Sequence, residues 1–104
     1  MKNLSRFTKK EIKQFFSSAR ATYKSPELTI LVRQKTDSHA RILIVASRKV
    51  GNAPQRNKLK RQLRAIFYEE KLFQGNLDCA VLLRKKAQEL LFKQLKEILV
   101  HHVT

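Results

Sequence analysis

The chain has 104 residues, of which 42% are hydrophobic, and this suits a single domain with a modest core that needs no disulfide or metal. Its 23 Lys/Arg residues against 8 Asp/Glu give a formal net charge of +15, so we expect a polyanionic partner, with nucleic acid the leading candidate. The longest aliphatic run, ILIVA, is far shorter than the roughly 20 residues of a membrane span, and residues 1 to 16 lack the apolar segment of a secretory signal, so we expect a cytoplasmic protein without a membrane partner.

The first predicted element is a helix over residues 9 to 18. Thr8 suits its N-cap, and Glu11, three residues later, completes a capping box. Phe7 and Ile12 are placed to form a hydrophobic staple around this start. The apolar residues of the segment fall on one face: Ile12, Phe15 and Phe16.

Strands are predicted next. In SPELTILVRQ, Pro26 lies near the start of the segment. Leu28, Ile30 and Val32 then alternate with Thr29, Leu31 and Arg33, which is the period of a strand. RILIVASRK is apolar on both sides near its centre, so we expect it to lie inside the sheet. A further short strand fits near residues 20 to 24.

A second helix follows the loop VGNAP, in which a Gly and a Pro interrupt the pattern. We predict that this helix begins at Pro54 or Gln55 and ends at Phe73, with Gly75 as its C′ residue.

A buried strand, LDCAVLLRK, and a C-terminal amphipathic helix over residues 87 to 103 complete the chain. The order αββαβα, with room for the further strand, predicts one α+β domain over residues 1 to 104. The residues of the last helix expected in the core are Leu90, Leu91, Leu95, Ile98 and Leu99.

The second helix carries the unusual charge. On a helical wheel its apolar residues Leu59, Leu63, Ile66 and Phe67 fall within an arc of about 100°. The adjoining arc is polar and cationic, while Lys58 points away from both arcs; that adjoining arc holds Arg56, Asn57, Lys60, Arg61 and Arg64. Since residues 38 to 68 contain no acid, this pattern predicts a rigid row of cations for phosphates, with a second phosphate seat at free backbone N–H groups from Gln55 to Lys58. The alternative is a solvated surface helix, which usually mixes in Glu.

Residues suited to catalysis or metal binding are sparse. His39 falls in a turn, His101 and His102 lie at the C-terminus, and no pair of carboxylates has the spacing of metal ligands. Cys79 is the one cysteine, and a small buried hydrophobe is the preferred interpretation. We therefore expect no catalytic residue and no metal ligand.

The stretch RNKLKRQLR, preceded by SRKVG, resembles the R-N-x-x-K-R-x-x-R signature of the bacterial ribonuclease P protein family. The likeness extends through FTKKEIKQFF, LTILVR and DCAVLLRKKA, nearly the whole chain. It implies a two-layer α/β sandwich of about four strands and three helices, like the second domain of ribosomal protein S5, with a left-handed βαβ crossover that periodicity alone does not predict.

The resemblance also implies a function. A partner RNA would remove the 5′ leader of precursor tRNA by endonucleolytic hydrolysis, using Mg²⁺ held mainly by that RNA, while one protein per RNA binds the leader and the catalytic RNA. The implied contacts to catalytic RNA are Arg48, Lys49, Arg56, Asn57, Lys58, Lys60, Arg61 and Arg64. The implied leader cleft comprises Ile12, Phe16 and Leu31; for Phe16 core packing is an equal alternative, and for Phe15 it is preferred.

Departures from the family pattern leave some points open. Ile12 and Leu31 stand where many relatives have aromatic rings, which favours apolar contact over base stacking, and Lys58 replaces the usual Arg. The main alternative function is a small structural RNA-binding protein, such as a ribosomal protein. A DNA-binding module is less favoured because no helix-turn-helix pair is evident.

Overall fold

A four-stranded mixed sheet forms the centre of the fold in the computed structural model, which describes residues 7 to 103. In chain order the helices and strands are α1 (Lys9–Ser18), β1 (Arg20–Lys24), β2 (Leu28–Gln34), β3 (Ile42–Val45), α2 (Ala53–Glu69), β4 (Leu77–Leu83) and α3 (Phe92–Val103). Short 3₁₀ turns occupy Arg48–Val50, Leu72–Gln74 and Lys85–Glu89. The α+β class is confirmed, and so is the further strand at residues 20 to 24.

The strand order is β1-β2-β4-β3. β2 is antiparallel to both β1 and β4, whereas β3 is parallel to β4, so α2 lies in a βαβ crossover. The prediction that β3 lies inside the sheet is wrong, because β4 takes that place and β3 forms an edge. β3 also ends at Val45, before the 3₁₀ turn that begins at Arg48. The left hand of the crossover stays a prediction from the resemblance.

One face of the sheet carries the main core. Its inward side chains alternate along each strand: Leu28, Ile30 and Val32 on β2, Cys79, Val81 and Leu83 on β4, and Ile42 and Ile44 on β3. α2 and α3 cover this face with Leu59, Leu63, Ile66, Phe67, Leu95, Leu99 and Val103. Fully burying such a side chain contributes about 1.5–3 kcal/mol, so this face fixes the orientation of α2.

α1 lies against the opposite face. Thr8 and Glu11 form the expected capping box, and the predicted bounds of the helix are confirmed. Phe15 is fully buried and packs edge-on against Phe7, with the ring centroids 5.9 Å apart. The guanidinium of Arg33 on β2 lies 5.1 Å from the centre of the Phe15 ring, which places α1 over that part of the sheet.

α2 is displaced from its predicted bounds at both ends. It begins at Ala53 because Asn52 caps it, and it ends at Glu69 because Lys71 takes a left-handed conformation (φ 57°) that turns Leu72 into the core. Gly75 has a φ of −78°, so it is not the left-handed C′ residue that was predicted.

The predicted C-terminal helix is divided. The Lys85–Glu89 segment is a 3₁₀ turn, Leu90 is extended, and α3 begins only at Phe92. This break puts Leu91 outside the helical register, and its side chain is 70% exposed, so its prediction as a core residue is wrong. Leu95 and Leu99 are buried as predicted, whereas Leu90 and Ile98 are half-buried. In residues 7 to 103 no helix combines the length and apolar character needed to span a membrane.

Candidate nucleic-acid interface

The cationic stripe of α2 comprises Arg56, Asn57, Lys60, Arg61 and Arg64. Arg61, Arg64 and Asn57 are exposed, while Arg56 and Lys60 are half-buried beside the packed residues of the same helix. Lys58 is exposed and lies off the stripe, as the wheel predicts. Because the apolar side of α2 is buried in the core, the stripe is held on a rigid support.

The stripe keeps its positive charge within the structure. Ion pairs in the described part of the chain join Arg33 to Asp78, Arg41 to Glu11 and Lys96 to Glu70, and none of them includes a stripe residue. Within residues 7 to 103, Arg41 is therefore the one cation between residues 38 and 68 that an acid within 4 Å neutralises. Guanidinium and ammonium groups on one helical surface suit a run of phosphates.

The N-terminus of α2 is closed by its own cap. Asn52 Oδ1 accepts from the Gln55 backbone N–H at 2.9 Å, and Gln55 Oε1 accepts from the Asn52 backbone N–H at 2.9 Å. The Arg56 N–H is bonded to the Asn52 carbonyl at 3.0 Å. The predicted phosphate seat at these N–H groups is therefore wrong, since the capping box occupies the donors.

Arg48 and Lys49 are exposed in the 3₁₀ turn that leads to α2. Lys49 also borders a basic pocket of about 460 Å³, formed where the parallel strands β3 and β4 end. Arg84 and Lys85 line the same pocket, and the Arg84 guanidinium donates to Thr29 Oγ1 at 3.1 Å. These two residues were not among the predicted RNA contacts, although the run RKK directly after a buried strand could have indicated a basic site there.

The sheet face beneath α1 continues beyond that helix as an open apolar surface. Leu31, Ala80 and Leu43 are paired across β2, β4 and β3, and the next row carries Leu82 and Val45. Leu31, Leu43 and Leu82 are half-buried, and Val45 is 41% exposed.

Of the three predicted cleft residues, Leu31 lies on this face, and Ile12 and Phe16 are on α1, which packs against the same side of the sheet. Phe16 is 41% exposed on α1, Ile12 is half-buried one turn earlier, and Leu31 lies on the sheet. Phe15 is fully buried, in agreement with its predicted packing role, which leaves Phe16 as the available ring.

A buried ionic network fixes α1 to the sheet. Asp78 is fully buried and accepts from Arg33 Nε at 3.3 Å and from the Arg41 backbone N–H at 2.8 Å. The Arg41 guanidinium reaches Glu11 Oε2 at 2.8 Å and lies 4.4 Å from the Phe7 ring centre. The hydrogen bond from the Thr8 backbone and then the bond from Arg41 hold the pKa of Glu11 below its ordinary value.

Within the described residues, nucleophilic and metal-binding side chains are dispersed or packed into the fold. Cys79 is fully buried, and the loss of hydration, with the nearby Asp78 charge, raises the pKa of its thiol. The His102 ring lies 4.5 Å from the ring of Tyr23 on β1, tilted by 44°, so it packs against the sheet. Within residues 7 to 103, no group of three or more His, Cys, Asp or Glu is placed to hold a metal ion.

Comparison with known proteins agrees with this arrangement. A family model described as Ribonuclease P matches residues 1–104. The ribonuclease P protein component of Bacillus pumilus is 34% identical over 104 residues, which cover 97% of this chain and 87% of that protein.

Solved structures share the fold. The RNase P protein of Thermotoga maritima superposes with a TM-score of 0.77 at 27% identity and covers 93% of this chain and 92% of its own. The Staphylococcus aureus RNase P protein gives a TM-score of 0.81 at 23% identity, covering 96% and 92%, and supports the fold alone. With its family model matched over residues 1–104, the chain belongs to the ribonuclease P family and is a protein component of RNase P, an RNA-containing enzyme of tRNA processing.

Proposed function

We propose that this chain is the non-catalytic subunit of a cytoplasmic ribonucleoprotein, one protein per RNA, whose RNA hydrolyses precursor tRNA at the 5′ end of the mature sequence. In this proposal the cationic stripe, Lys58, Arg48 and Lys49 bind the catalytic RNA. The open sheet face, bordered by Ile12, Phe16 and Leu31, binds the 5′ leader. The alternative of a ribosomal structural protein has no support from the family comparison, which matches ribonuclease P.

The single observation that carries the proposal is the cationic stripe on a helix anchored by its apolar side. Its charges make no ion pair with any acid in the described part of the chain. Phosphates bound there would release condensed counterions, so affinity should fall steeply with salt. The fixed spacing on α2 favours a structured phosphate backbone over a general anion.

Leader binding rests on the open sheet face. An exposed Phe16 ring and apolar strand residues give unpaired bases a surface without sequence selection, as a reader of many different leaders requires. The basic pocket of Lys49, Arg84 and Lys85 lies at the ends of the strands that form this face and would take leader phosphates.

The donor set does not suit a magnesium site of the protein's own. Mg²⁺ prefers carboxylate oxygens with room for several waters. Here three of the eight carboxylates are paired with cations, and within residues 7 to 103 no three His, Cys, Asp or Glu lie close enough together to hold a metal ion. We therefore assign the Mg²⁺ of the reaction to the partner RNA and no step of the chemistry to a metal on this chain.

The test is cleavage of a 5′-extended precursor tRNA by its cognate catalytic RNA, at low Mg²⁺ and ordinary salt, with and without the purified protein. We expect the protein to increase the cleavage rate. Unchanged cleavage, with a protein shown to be folded, would reject the proposal.

Phe16→Ala tests the leader cleft. A base stacked on an aromatic ring contributes about 1–3 kcal/mol, so the variant should bind precursor tRNA about tenfold more weakly in complex with the catalytic RNA. Binding of mature tRNA, which has no leader, should be unchanged and serves as the control. Equal losses for both tRNAs would contradict a leader cleft at this ring.

A further inference from the structure

A groove of about 430 Å³ lies between α2 and the start of α3, on the flank of α2 away from the cationic stripe. Leu91 and Phe92 form one side of it and are 70% and 39% exposed. Lys58, Gln55 and Gln62 of α2 and Gln88 of the 3₁₀ turn complete it. The leader cleft lies on the other face of the sheet, so this groove is a separate site.

The apolar side of the groove lies outside the main core. Leu95 and Leu99 fill the core from α3, whereas Leu91, which is mostly exposed, and Phe92, which is 39% exposed, precede them. The break before α3 places them there, and the Leu91 backbone N–H is bonded to Gln94 Oε1 at 2.8 Å, which holds the start of α3. Adjacent exposed apolar side chains of this size are typical of a binding surface.

The polar side of the groove is preorganised. Gln88 Nε2 donates to Gln55 Oε1 at 3.2 Å and also to the Val50 carbonyl. Among the described residues, the second amide atom of each glutamine, the Gln88 oxygen and the Gln55 nitrogen, has no hydrogen bond. A fixed carboxamide acceptor beside a fixed donor is the arrangement with which proteins read the edge of a nucleobase.

Charge selects the class of ligand. Among residues 7 to 103, no acid lines the groove, and Lys58 supplies a cation at its edge. Lys58 and Arg61 are three residues apart on α2 and therefore neighbours on the helix surface. Lys58 at the edge of the groove is therefore next to one residue of the cationic stripe.

We propose that this groove binds one unpaired nucleotide of the RNA that α2 contacts. The base lies against Phe92 and Leu91, its edge meets the glutamine amides, and its phosphate meets Lys58, which gives that residue a role that its position off the stripe did not explain. A volume of this size suits a single nucleotide. The inference rests on the proposed function only in that α2 contacts RNA.

Side-chain amide NMR signals of Gln55, Gln62 and Gln88 provide the first test. The protein is titrated with a single-stranded RNA oligomer and with an RNA duplex that has the same number of phosphates but no unpaired base. We expect the single strand to shift the groove amides and the duplex to shift only signals of the cationic stripe. Groove amides that do not respond to the single strand, or that respond equally to both, would overturn the proposal.

Phe92→Leu provides the second test, because it removes the ring and keeps an apolar side chain. With Phe16→Ala present in both chains, so that the proposed leader cleft does not mask the effect, loss of one stacked base should weaken binding of the single strand about tenfold and leave duplex binding unchanged. Equal binding of the duplex also reports that the variant is folded. An equal loss for both RNAs, or a change in self-association by sedimentation with no change in RNA binding, would overturn the proposal in favour of a structural or dimer contact.

The proposed function and the nucleotide site can be rejected independently of each other. If the protein does not stimulate precursor cleavage but the oligomer shifts the groove amides, the proposed function is rejected and the nucleotide site remains. If cleavage is stimulated and the groove amides stay silent, the nucleotide site is rejected alone.

Discussion

Asp78 is the residue on which the attachment of α1 to the sheet depends. It is fully buried, and it balances the Arg33 guanidinium while binding the backbone of Arg41. Arg41 in turn holds Glu11 of α1. A buried carboxylate is therefore connected through Arg41 to α1, whose position also depends on the packing of Phe15 against Arg33.

Asp78→Ala should destabilise the fold by about 3–5 kcal/mol, because it leaves a buried guanidinium without its counter-charge. The measurement is urea unfolding followed by circular dichroism. Glu97→Ala is the control: Glu97 is exposed on α3 and makes no ion pair within residues 7 to 103, so a change of about 0.5 kcal/mol or less is expected. Similar losses for the two variants would mean that the buried network contributes little.

Glu11 gives the attachment of α1 a dependence on pH. Its pKa in the folded state lies below the ordinary value of 4.5, so its contribution to stability is complete above that value and is lost as the pH falls through the lower, folded-state pKa. Glu11→Gln lacks this titration but keeps a side chain able to accept from the Thr8 N–H. The difference in unfolding free energy between the native chain and Glu11→Gln should therefore be largest near neutral pH and shrink below about pH 4.5. A difference that stays constant down to pH 3 would show that the Glu11 charge is not involved.

At the scale of elements, α2 combines two roles along one helix. Its buried side, with Leu63 and Phe67, fixes orientation, and its cationic side remains in water. Arg61 and Arg64 are exposed and take no part in the packing, whereas Arg56 and Lys60 are half-buried beside it. Substitution on the cationic side should therefore separate RNA affinity from stability.

Arg61→Ala should weaken association with the catalytic RNA and reduce the slope of log affinity against log salt by about one, with the fold intact and the thermal midpoint not lowered. Arg61 is exposed and lies off the packed arc of α2, which is why its loss should not affect folding. Lys24→Ala at the end of β1 removes the same charge from an exposed site away from α2 and is the control for net charge. Equal effects of the two variants on affinity would mean that total charge, rather than the stripe, binds the RNA.

The ends of the helices show which structural features are encoded in the local sequence. The start of α1 was predictable because its capping box is encoded within four residues, Thr8 to Glu11. The end of α2 and the break before α3 were not, because they are set by distant contacts: Leu72 turns into the core, and Gln88 is held by Val50 and Gln55. Leu91 was misassigned to the core for the same reason.

At the scale of the whole molecule, the sequence predicted the α+β class and the faces of most elements, but not the order of strands. An apolar sequence pattern predicts an internal strand whether the strand lies at the centre or at an edge of the sheet. For this reason β3 was predicted inside the sheet, although β4 lies there. The cationic stripe was predictable because it depends only on helical periodicity and the lack of acids in residues 38 to 68. Arg84 and Lys85 were missed because their meeting with Lys49 depends on the pairing of β3 with β4.

The charge of +15 on so small a fold should make its stability depend on the kind of anion present. Cations gathered on α2 repel one another, and this opposes the compact state until an anion binds. A ligand that binds only the folded chain stabilises it in proportion to the logarithm of its concentration.

We therefore expect the urea midpoint to rise on titration with a short RNA oligomer or with pyrophosphate, far more than in sodium chloride of equal ionic strength. Sulfate is less suitable as a probe because it also strengthens burial of apolar surface in any protein.

A variant with both Arg61 and Arg64 changed to Gln should show a smaller rise of the urea midpoint with pyrophosphate and a higher midpoint in chloride alone. If pyrophosphate raises the midpoints of the native chain and the variant equally, the stabilising anion binds away from α2, and the cationic stripe is not the place where self-repulsion is relieved.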